Sequence, residues 1–402
     1  MPMPAPAMSW EEPLYAGSMW SFVISPALGI ATWLGSGVPQ YLDPLQFAGV
    51  WVVVSLGVGR LVARGRPCPP ALLRRKLDGQ TIIVTGTGSG SGYHTALQLA
   101  KQGAAVILAN RSTARSEECA ARMRAEASGM PLELVTTHVL ELESVVSAVT
   151  FADGILAEYP RIDACIMNAG MADFAGRVVT RFHDDNTNKY EFCTAVNAVS
   201  NVVVVMKLLA VLKKSRARVV LVSSIGHGAA DLFPQTVPKE LRTPRQVLQF
   251  FCGEHDGDYD SWLAVEKTTQ TFTYCFAKYI MVSFADYLEE KHGLEAVSLQ
   301  PGSISGGFYR GMPKVVGAIM GSVGYCLTQR TAWEGAQTSL WTTLAPWSEL
   351  SALAQQQGTP QNRGALYANN IQVGRRGKLA LQVDPGMDAV EWLIAENLAR
   401  HL

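Results

Sequence analysis

Apolar and polar residues alternate along most of this chain in the pattern of a strand-and-helix domain. Apolar runs of four to seven residues are separated by longer stretches with helical spacing. Such runs predict strands buried on both faces of a parallel sheet, and the longer stretches predict the helices that connect them. The candidate strands are Thr81–Thr85, Ala105–Ala109, Leu132–Thr137, Ala164–Asn168, Val219–Ser223, Leu294–Gln300 and Ala365–Ala368. The pattern predicts an α/β fold, a doubly wound parallel sheet of about seven strands.

The amino-terminal segment departs from this rhythm because it is apolar almost without interruption. No charged residue lies between Pro13 and Leu42, and the run Leu14–Leu34 reaches the roughly 20 residues that span a bilayer. A second uncharged run, Leu45–Leu56, precedes a basic cluster, which predicts that the downstream domain faces the cytosol. The members of that cluster are Arg60, Arg64, Arg66, Arg74, Arg75 and Lys76.

These features predict a disordered stretch at residues 1–12, a hydrophobic helical segment at 13–62 that attaches to a membrane, and a proline-containing linker at 63–78. One span or a re-entrant hairpin would satisfy the pattern. A pair of soluble helices packed on the domain is the alternative. A cleaved signal peptide is disfavoured because no basic residues precede the apolar run.

A glycine-rich stretch, residues 85–92, follows the first predicted strand and precedes a helical pattern. Glycines allow a sharp turn and a close approach of the backbone to phosphate groups, and the helix amino terminus adds free N–H groups and a positive dipole end. The order strand, loop, helix and second strand therefore predicts a dinucleotide site, with Gly86, Ser89, Gly90 and Gly92 at the pyrophosphate.

Composition excludes several classes of function. The chain has 34 basic and 34 acidic residues in 402, so nothing indicates a nucleic-acid partner. Its seven cysteines are scattered without CxxC pairs, which favours a reducing compartment and predicts neither a zinc site nor a disulfide framework.

Four further signals follow in order along the body of the chain. Asn168-Ala169-Gly170 ends the fourth predicted strand, Asn197 lies in a helical pattern, and Ser223-Ser224 ends the fifth strand. Tyr274 and Lys278 are four residues apart on a helical pattern and so face the same side. A tyrosine has a reference pKa near ~10, and a nearby ammonium lowers that pKa toward the working range of an acid–base group.

These motifs together resemble the short-chain dehydrogenase/reductase family from residue 79 to the carboxyl end, and the resemblance implies a Rossmann-type fold. Asn110-Arg111, Ser224 followed by His227, and the run 335–340 are similar to the retinol dehydrogenase branch. Protochlorophyllide reductases are related and also carry a long insertion before the tyrosine. In this chain the predicted insertion covers residues 229–273.

The resemblance implies a role for each catalytic candidate. Tyr274 would be the acid–base group, Lys278 would hold the nicotinamide ribose, and Ser224 would bind the substrate oxygen. Asn197 would anchor a water in the proton relay. Ser223 in place of Ser224, and a purely structural role for Asn197, are the alternatives. His227 is interpreted as a loop residue, with a place in the substrate pocket as the alternative.

Further positions would contact the cofactor. Asn168, Ala169 and Gly170 would line its site, and residues 301–306 resemble the family's PGxVxT turn beside the nicotinamide, with Pro301, Ser303 and Ile304 as contacts. Gly306 replaces the usual threonine there, and His138 replaces the usual acidic residue near the adenine.

The end of the second strand predicts NADP(H) as the cofactor. An acidic residue there would bind the ribose 2′-hydroxyl of NAD, but this chain has Asn110 and then Arg111, and an arginine suits a 2′-phosphate. Arg115 and Ser89 are expected to assist. The alternative is that Arg111 only begins a surface helix.

The predicted function is a membrane-associated oxidoreductase that interconverts a lipophilic carbonyl and its alcohol. An uncharged run within residues 307–328 follows the nicotinamide turn, where the family places a substrate lid, and an apolar lid suits a retinoid, sterol or long-chain lipid. The endoplasmic reticulum or another intracellular membrane is the expected location, and a homo-oligomer is compatible with the sequence. A C=C reductase and a non-catalytic NADP-sensing scaffold are the competing interpretations.

Overall fold

The computed structural model describes residues 44–127, 135–172, 190–232, 241, 243–252, 259–304, 329–360, 363–374, 376–399 and 401–402. The predicted disordered stretch 1–12, the first apolar run and the predicted lid 307–328 lie outside the described residues.

The described residues form one eight-stranded sheet in the order β3-β2-β1-β4-β5-β6-β7-β8. All neighbouring strands pair in parallel except β7 and β8, which are antiparallel. The strands are β1 Thr81–Thr85, β2 Ala105–Asn110, β3 Val135–Val139, β4 Ala164–Met167, β5 Arg218–Val222, β6 Glu295–Gln300, β7 Leu366–Asn369 and β8 Gln372–Val373. The predicted doubly wound sheet is confirmed, with one strand more than expected.

Helices cover both faces of the sheet, and two clusters of buried side chains fill the layers between them and the strands. The helices are α1 Pro44–Arg64, α2 Pro70–Leu73, α3 Gly90–Lys101, α4 Thr113–Glu126, α5 Val145–Glu158, α6 Phe192–Thr194, α7 Ser200–Lys207, α8 Leu209–Ser215, α9 Pro244–Phe251, α10 Tyr259–His292, α11 Ala332–Leu344, α12 Trp347–Ala354, α13 Lys378–Leu381 and α14 Val383–Trp392. π-helical turns occupy Ala195–Val199 and Leu393–Asn397, and a 3-10 helix occupies Ile225–Leu232.

The segment 63–78, for which the prolines predict a linker, is packed against the domain. Ala63, Cys68 and Leu77 are each at most 1% exposed, and the backbone N–H of Cys68 donates to Oε1 of Gln337 at 2.9 Å. The burial of these three residues depends on contacts with distant parts of the chain, whereas the prolines indicate only a break in regular structure.

The predicted insertion 229–273 contains regular structure where it is described. It includes α9, which begins with a capping box between Thr243 and Gln246, and the start of α10. Because α10 begins at Tyr259, the last third of the predicted insertion is an extension of the helix that carries Tyr274 and Lys278.

Helix α1 presents an apolar face to the outside. Val53 is 69% exposed and Leu61 is 73% exposed, and Val50, Val54 and Val58 are exposed beside them. No single described helix is both long and apolar enough to cross a bilayer, although the bent pair Phe192–Lys207 and Leu209–Ser215 meets those criteria by length and composition. The valines of that pair are buried in the core.

The strand order places the candidate site. Strands β1 and β4 are neighbours. From β1 the chain continues to β2 and β3 on one side of β1, and it then crosses back to β4 on the other side of β1. A crevice forms at the carboxyl ends of the strands at such a switch point, and ligands of open α/β sheets bind there.

Candidate active site

The glycine loop leaves β1 at this switch point and packs closely against the end of β4. Gly86 has φ +71°, and a Cβ atom there would lie 2.8 Å from Cα of Ala169, so the turn requires glycine. Ser89 is exposed and is the N-cap of α3, without a side-chain capping bond, while Gly90 begins the helix and Gly92 is buried in its first turn. The helix amino terminus therefore faces the crevice.

Asn110 at the end of β2 holds this loop from the other side. Its side chain is buried; Oδ1 accepts from the backbone N–H of Gly88 at 3.0 Å, and Nδ2 donates to Oγ1 of Thr87 at 2.7 Å and to Oγ of Ser116 at 3.1 Å. All of these bonds are internal. Asn110 is a structural residue of the loop, a role that the strand-end position alone did not reveal.

The segment after β4 is fixed to the glycine loop by its side chain and its backbone. Nδ2 of Asn168 donates to the carbonyl of Thr85 at 3.0 Å, and Oδ1 accepts from Oγ of Ser91 at 3.0 Å. The N–H of Ala169 donates to Oγ1 of Thr85 at 2.9 Å. The two segments predicted to contact the cofactor are therefore hydrogen-bonded to each other.

Asn197 and Lys278 meet at Gly170. A Cβ atom at Gly170 would lie 2.7 Å from Oδ1 of Asn197 and 2.9 Å from Nζ of Lys278. Asn197 is fully buried in a π-helical turn, donating to the carbonyls of Met171 at 2.7 Å and Cys193 at 2.9 Å and accepting from the N–H of Met171 at 3.1 Å. Its side-chain orientation is thus set by the backbone.

Lys278 is buried at the centre of the site. Its Nζ donates to the carbonyl of Val222 at 2.9 Å and lies 5.8 Å from the ring centroid of Tyr274. Burial lowers the pKa of the Lys278 ammonium to about 8, because removing the charged form from water is costly.

The two adjacent serines at the end of β5 have different surroundings. The hydroxyl of Ser223 is buried and donates to the carbonyl of Lys278 at 2.7 Å. The hydroxyl of Ser224 accepts from the N–H of Gly226 at 3.0 Å, and a Cβ atom at Gly226 would lie 3.3 Å from this Oγ and 3.6 Å from Cε1 of Tyr274. The hydroxyl of Ser224 therefore lies near Tyr274, whereas the hydroxyl of Ser223 is engaged with the carbonyl of Lys278.

A buried carboxylate that the sequence did not single out braces the helices of the site. Glu191 is 3% exposed and caps α6, accepting from the N–H groups of Cys193 and Thr194 at 2.9 and 2.7 Å. The hydroxyl of Thr273, next to Tyr274, also hydrogen-bonds to it. Burial raises the pKa of the Glu191 carboxyl in spite of these donors. Its only sequence signal was its place one residue before a short helix.

The turn after β6, Pro301–Ile304, lies beside the segment that begins at Gln329. The backbone N–H of Arg330 donates to the carbonyl of Ser303 at 2.8 Å, and Nε2 of Gln329 reaches Oγ of Ser303 at 3.3 Å. Ile304 forms a parallel bridge with Arg330. Gly306, which replaces the threonine of the family turn, lies outside the described residues.

Two arginines lie at the end of β2 and the start of α4. The Arg111 side chain is 70% exposed, and its Nη1 is 3.4 Å from Oε1 of Glu143. The Arg115 side chain lies along the glycine loop, because a Cβ atom at Gly88 would be 2.5 Å from its Nε. The Arg115 guanidinium is therefore beside the loop, whereas that of Arg111 contacts Glu143.

Two histidines, His227 and His138, have packing roles. His227 is 1% exposed; Nδ1 is 2.7 Å from the carbonyl of Ser224 and Nε2 accepts from the N–H of Gly377 at 3.0 Å, which assigns the proton to Nδ1. His138 lies against the rings of Phe151 and Tyr159.

The residues present fit a dinucleotide. The helix amino terminus and the exposed Ser89 hydroxyl suit the pyrophosphate, and the two arginines suit an anion at the adenosine end. Lys278 adds a buried ammonium at the other end of the crevice, where its further N–H donors suit hydroxyl groups.

Comparisons with known proteins agree with this arrangement. Residues 80–231 match the family model described as short chain dehydrogenase. The short chain dehydrogenase/reductase dpchH of Colletotrichum higginsianum is 32% identical over 57% of this chain and 55% of that protein, so the match spans about half of the relative's length. Retinol dehydrogenase 12 of Bos taurus is 28% identical over 67% of this chain and 75% of that protein.

A solved structure of an uncharacterised protein from Mycobacterium paratuberculosis shares the fold. It superposes with a TM-score of 0.50 at 21% identity, over 81% of this chain and 95% of the other.

Proposed function

Because the chain belongs to the short-chain dehydrogenase/reductase family of oxidoreductases, we propose that it is a membrane-associated enzyme that uses NADP(H). It interconverts a lipophilic ketone or aldehyde and the corresponding alcohol, with a retinoid, sterol or long-chain lipid as substrate. The observation that carries the proposal is the cluster at the carboxyl edge of the sheet. There, Nζ of Lys278 lies near Oδ1 of Asn197 at Gly170 and 5.8 Å from the ring centroid of Tyr274, and Ser224 and Tyr274 both lie close to Gly226.

The proposed chemistry divides between the cofactor and the side chains. Bound nicotinamide supplies the hydride for reduction and accepts it in oxidation. Tyr274 donates a proton to the carbonyl oxygen during reduction and removes it from the hydroxyl during oxidation. Lys278 favours the phenolate by its charge, and Ser224 donates a hydrogen bond to the substrate oxygen as negative charge develops there.

Asn197 helps to orient these catalytic side chains. Its carboxamide is fixed by three backbone hydrogen bonds, and both its Oδ1 and Nζ of Lys278 lie close to the position that a Cβ atom would take at Gly170. A water held between these groups would return a proton to Tyr274 after each turnover.

The preference for NADP(H) is supported by the end of β2. A carboxylate that would accept the ribose 2′-hydroxyl of NAD is absent there, since Asn110 occupies the position and its side chain is engaged within the loop. Arg111 is exposed beside it and Arg115 lies along the loop. Two cationic side chains in this region, with no carboxylate at the end of the strand, favour a cofactor that carries a 2′-phosphate.

Membrane association is supported by the exposed apolar face of α1 and by the uncharged run Leu14–Leu34 that precedes it. The basic residues after the helix favour placement of the catalytic domain on the cytosolic side of the endoplasmic reticulum or another intracellular membrane. Ile225, 42% exposed next to Ser224, offers an apolar surface near the reacting oxygen. A substrate dissolved in the bilayer would reach such a site directly.

The test is NADPH-dependent reduction of a panel of retinal, a steroid ketone and a long-chain aldehyde by the full chain in detergent. We expect turnover of at least one carbonyl, with NADPH preferred over NADH, and loss of that turnover in Tyr274→Phe. Turnover only of C=C substrates would replace the proposed reaction. NADPH binding without turnover of either class would favour the scaffold interpretation.

A further inference from the structure

The guanidinium of Arg330 is buried where three distant parts of the chain meet. The residue is 5% exposed. Its Nε donates to the carbonyl of Ala63 at 2.9 Å, its Nη1 to the carbonyl of Pro301 at 2.8 Å, and its Nη2 to Oδ1 of Asn370 at 3.1 Å. We call these four residues the Arg330 junction. A planar fork of donors can serve three acceptors in different directions, which a lysine ammonium on a flexible stem does poorly.

One arm of the junction holds the turn after β6. Besides the bond to Pro301, the backbone N–H of Arg330 donates to the carbonyl of Ser303, and a Cβ atom at Gly302 would lie 2.6 Å from Nε of Arg330. Gly302 has φ +87°. The turn is therefore shaped directly against this side chain.

A second arm holds the end of α1 and the residues that follow it. Oδ1 of Asn370 accepts from the N–H of Arg66 at 2.6 Å as well as from Arg330. Nearby, Arg60 donates to the carbonyl of Gln329 at 3.3 Å and pairs with Glu334 at 2.6 Å. The amino-terminal helix is thus attached to the same segment that supports the turn.

We propose that Arg330 is a positioning residue for the cofactor, and that through it the end of α1 forms part of the support of the nicotinamide half of the site. The inference rests on the proposed function, in which the Pro301–Ile304 turn contacts the nicotinamide. A disturbance at residues 63–66 should weaken cofactor binding although those residues lie outside the crevice that binds it.

Two glycines provide a matched pair of variants. Gly65 has φ +70°, and a Cβ atom there would lie 2.5 Å from Oδ1 of Asn370 and 2.6 Å from Nη2 of Arg330. Gly79 has a similar φ of +77°, but an added Cβ would meet nothing within 4 Å. Alanine at either position strains the backbone in the same way. Only Gly65→Ala also places a methyl group against the side chains of the Arg330 junction.

The experiment compares the full-length wild type with Gly65→Ala, Gly79→Ala and Arg330→Lys. The measurements are NADPH affinity by nucleotide fluorescence, kcat and KM for NADPH, and the melting temperature without cofactor. We expect Gly65→Ala and Arg330→Lys to bind NADPH about tenfold more weakly, with a raised KM for NADPH and a kcat within about twofold of wild type once NADPH saturates. Gly79→Ala should lower the melting temperature and leave NADPH affinity unchanged.

Equal NADPH affinities in Gly65→Ala and Gly79→Ala, with the wild type binding normally, would overturn the proposed connection and leave the proposed function standing. A wild type that does not bind NADPH would overturn the proposed function, and the positioning role with it. Arg330→Lys that folds poorly does not decide the question, because Gly65→Ala tests the junction without changing the arginine.

Discussion

The hydroxyl of Ser223 donates a 2.7 Å hydrogen bond to the backbone carbonyl of Lys278. This bond joins the end of β5 to α10 and turns one of two adjacent serines away from the crevice. The neighbouring hydroxyl of Ser224 lies beside Tyr274. Because the hydroxyl of Ser223 is engaged in the core, this difference favours Ser224 as the proposed catalytic serine.

Substitution of the two serines should separate catalysis from stability. Ser224→Ala should lower kcat about 10²-fold, because a donor to the developing negative charge is lost. Its melting temperature should fall only slightly, through loss of the part-buried hydrogen bond from the N–H of Gly226. Ser223→Ala should reduce the free energy of unfolding by about 1 kcal/mol through loss of a buried hydrogen bond. Steady-state kinetics and urea unfolding of both variants check this, and an unchanged kcat in Ser224→Ala would remove Ser224 from the mechanism.

Cofactor preference should depend on the two arginines beside the glycine loop. Arg111→Ala and Arg115→Ala should each lower the preference for NADPH over NADH about tenfold, because a hydrogen bond to a charged group contributes about 1.5 kcal/mol. The ratio of kcat/KM for the two cofactors is the measurement. Arg161→Ala is the matched control, since that arginine is exposed and pairs with Asp163 just before β4, away from the loop. A ratio that stays constant in all three variants would contradict NADP selection by these residues.

Stability should rise with pH above about 8 because of Lys278. Burial lowers the pKa of this ammonium from 10.5 to about 8 in the folded protein, so between these values the unfolded chain binds a proton that the folded chain has lost. Unfolding free energy therefore increases across that window. The difference between wild type and Lys278→Met in urea unfolding, measured without cofactor from pH 7 to 10, isolates the effect from other titrating groups.

The control for this measurement is Lys214→Met, which removes a lysine from an exposed position. Parallel pH profiles for wild type and Lys278→Met would show that the ammonium does not pay a desolvation penalty in the folded chain.

A buried ion pair should dominate stability at the carboxyl-terminal part of the fold. Arg376 is fully buried, and its Nη1 and Nη2 contact the two carboxylate oxygens of Asp286 at 2.8 and 2.7 Å. Arg376→Met should cost about 3–5 kcal/mol in the free energy of unfolding, because an uncompensated carboxylate stays buried. Arg161→Met breaks an exposed pair and should change the urea midpoint little. Similar midpoints for the two variants would contradict this account.

The sheet and the family were predictable because their signals are local. Most of the strands are short apolar runs, and the strands other than β8 were predicted to within a few residues. Strand β8 was not predicted, because it has only two residues and follows a turn in which Asn370 and Ile371 adopt positive φ. The resemblance to the short-chain dehydrogenase/reductase family, drawn from the spacing of motifs, is confirmed by the family match.

The supports of the site were not predictable because they join residues far apart in the chain. Arg330 and Ala63 are 267 positions apart, and neither belongs to a motif. Glu191 has no sequence partner that would reveal its contact with Thr273. The packing of Cys68 and Leu77 likewise depends on the tertiary fold, while the prolines around them indicate only where regular structure stops.

The most direct test of the central claim is transfer of deuterium from NADPH labelled at the nicotinamide C4 to a carbonyl substrate identified from the panel. Wild type should place one deuterium on the carbinol carbon of the product, and Tyr274→Phe should bind NADPH with unchanged affinity but form product at least about 10²-fold more slowly. Two results would contradict a hydride-transfer enzyme that uses Tyr274 as its acid–base group. One is product without deuterium at that carbon, whichever face of the nicotinamide carries the label, and the other is full turnover in Tyr274→Phe.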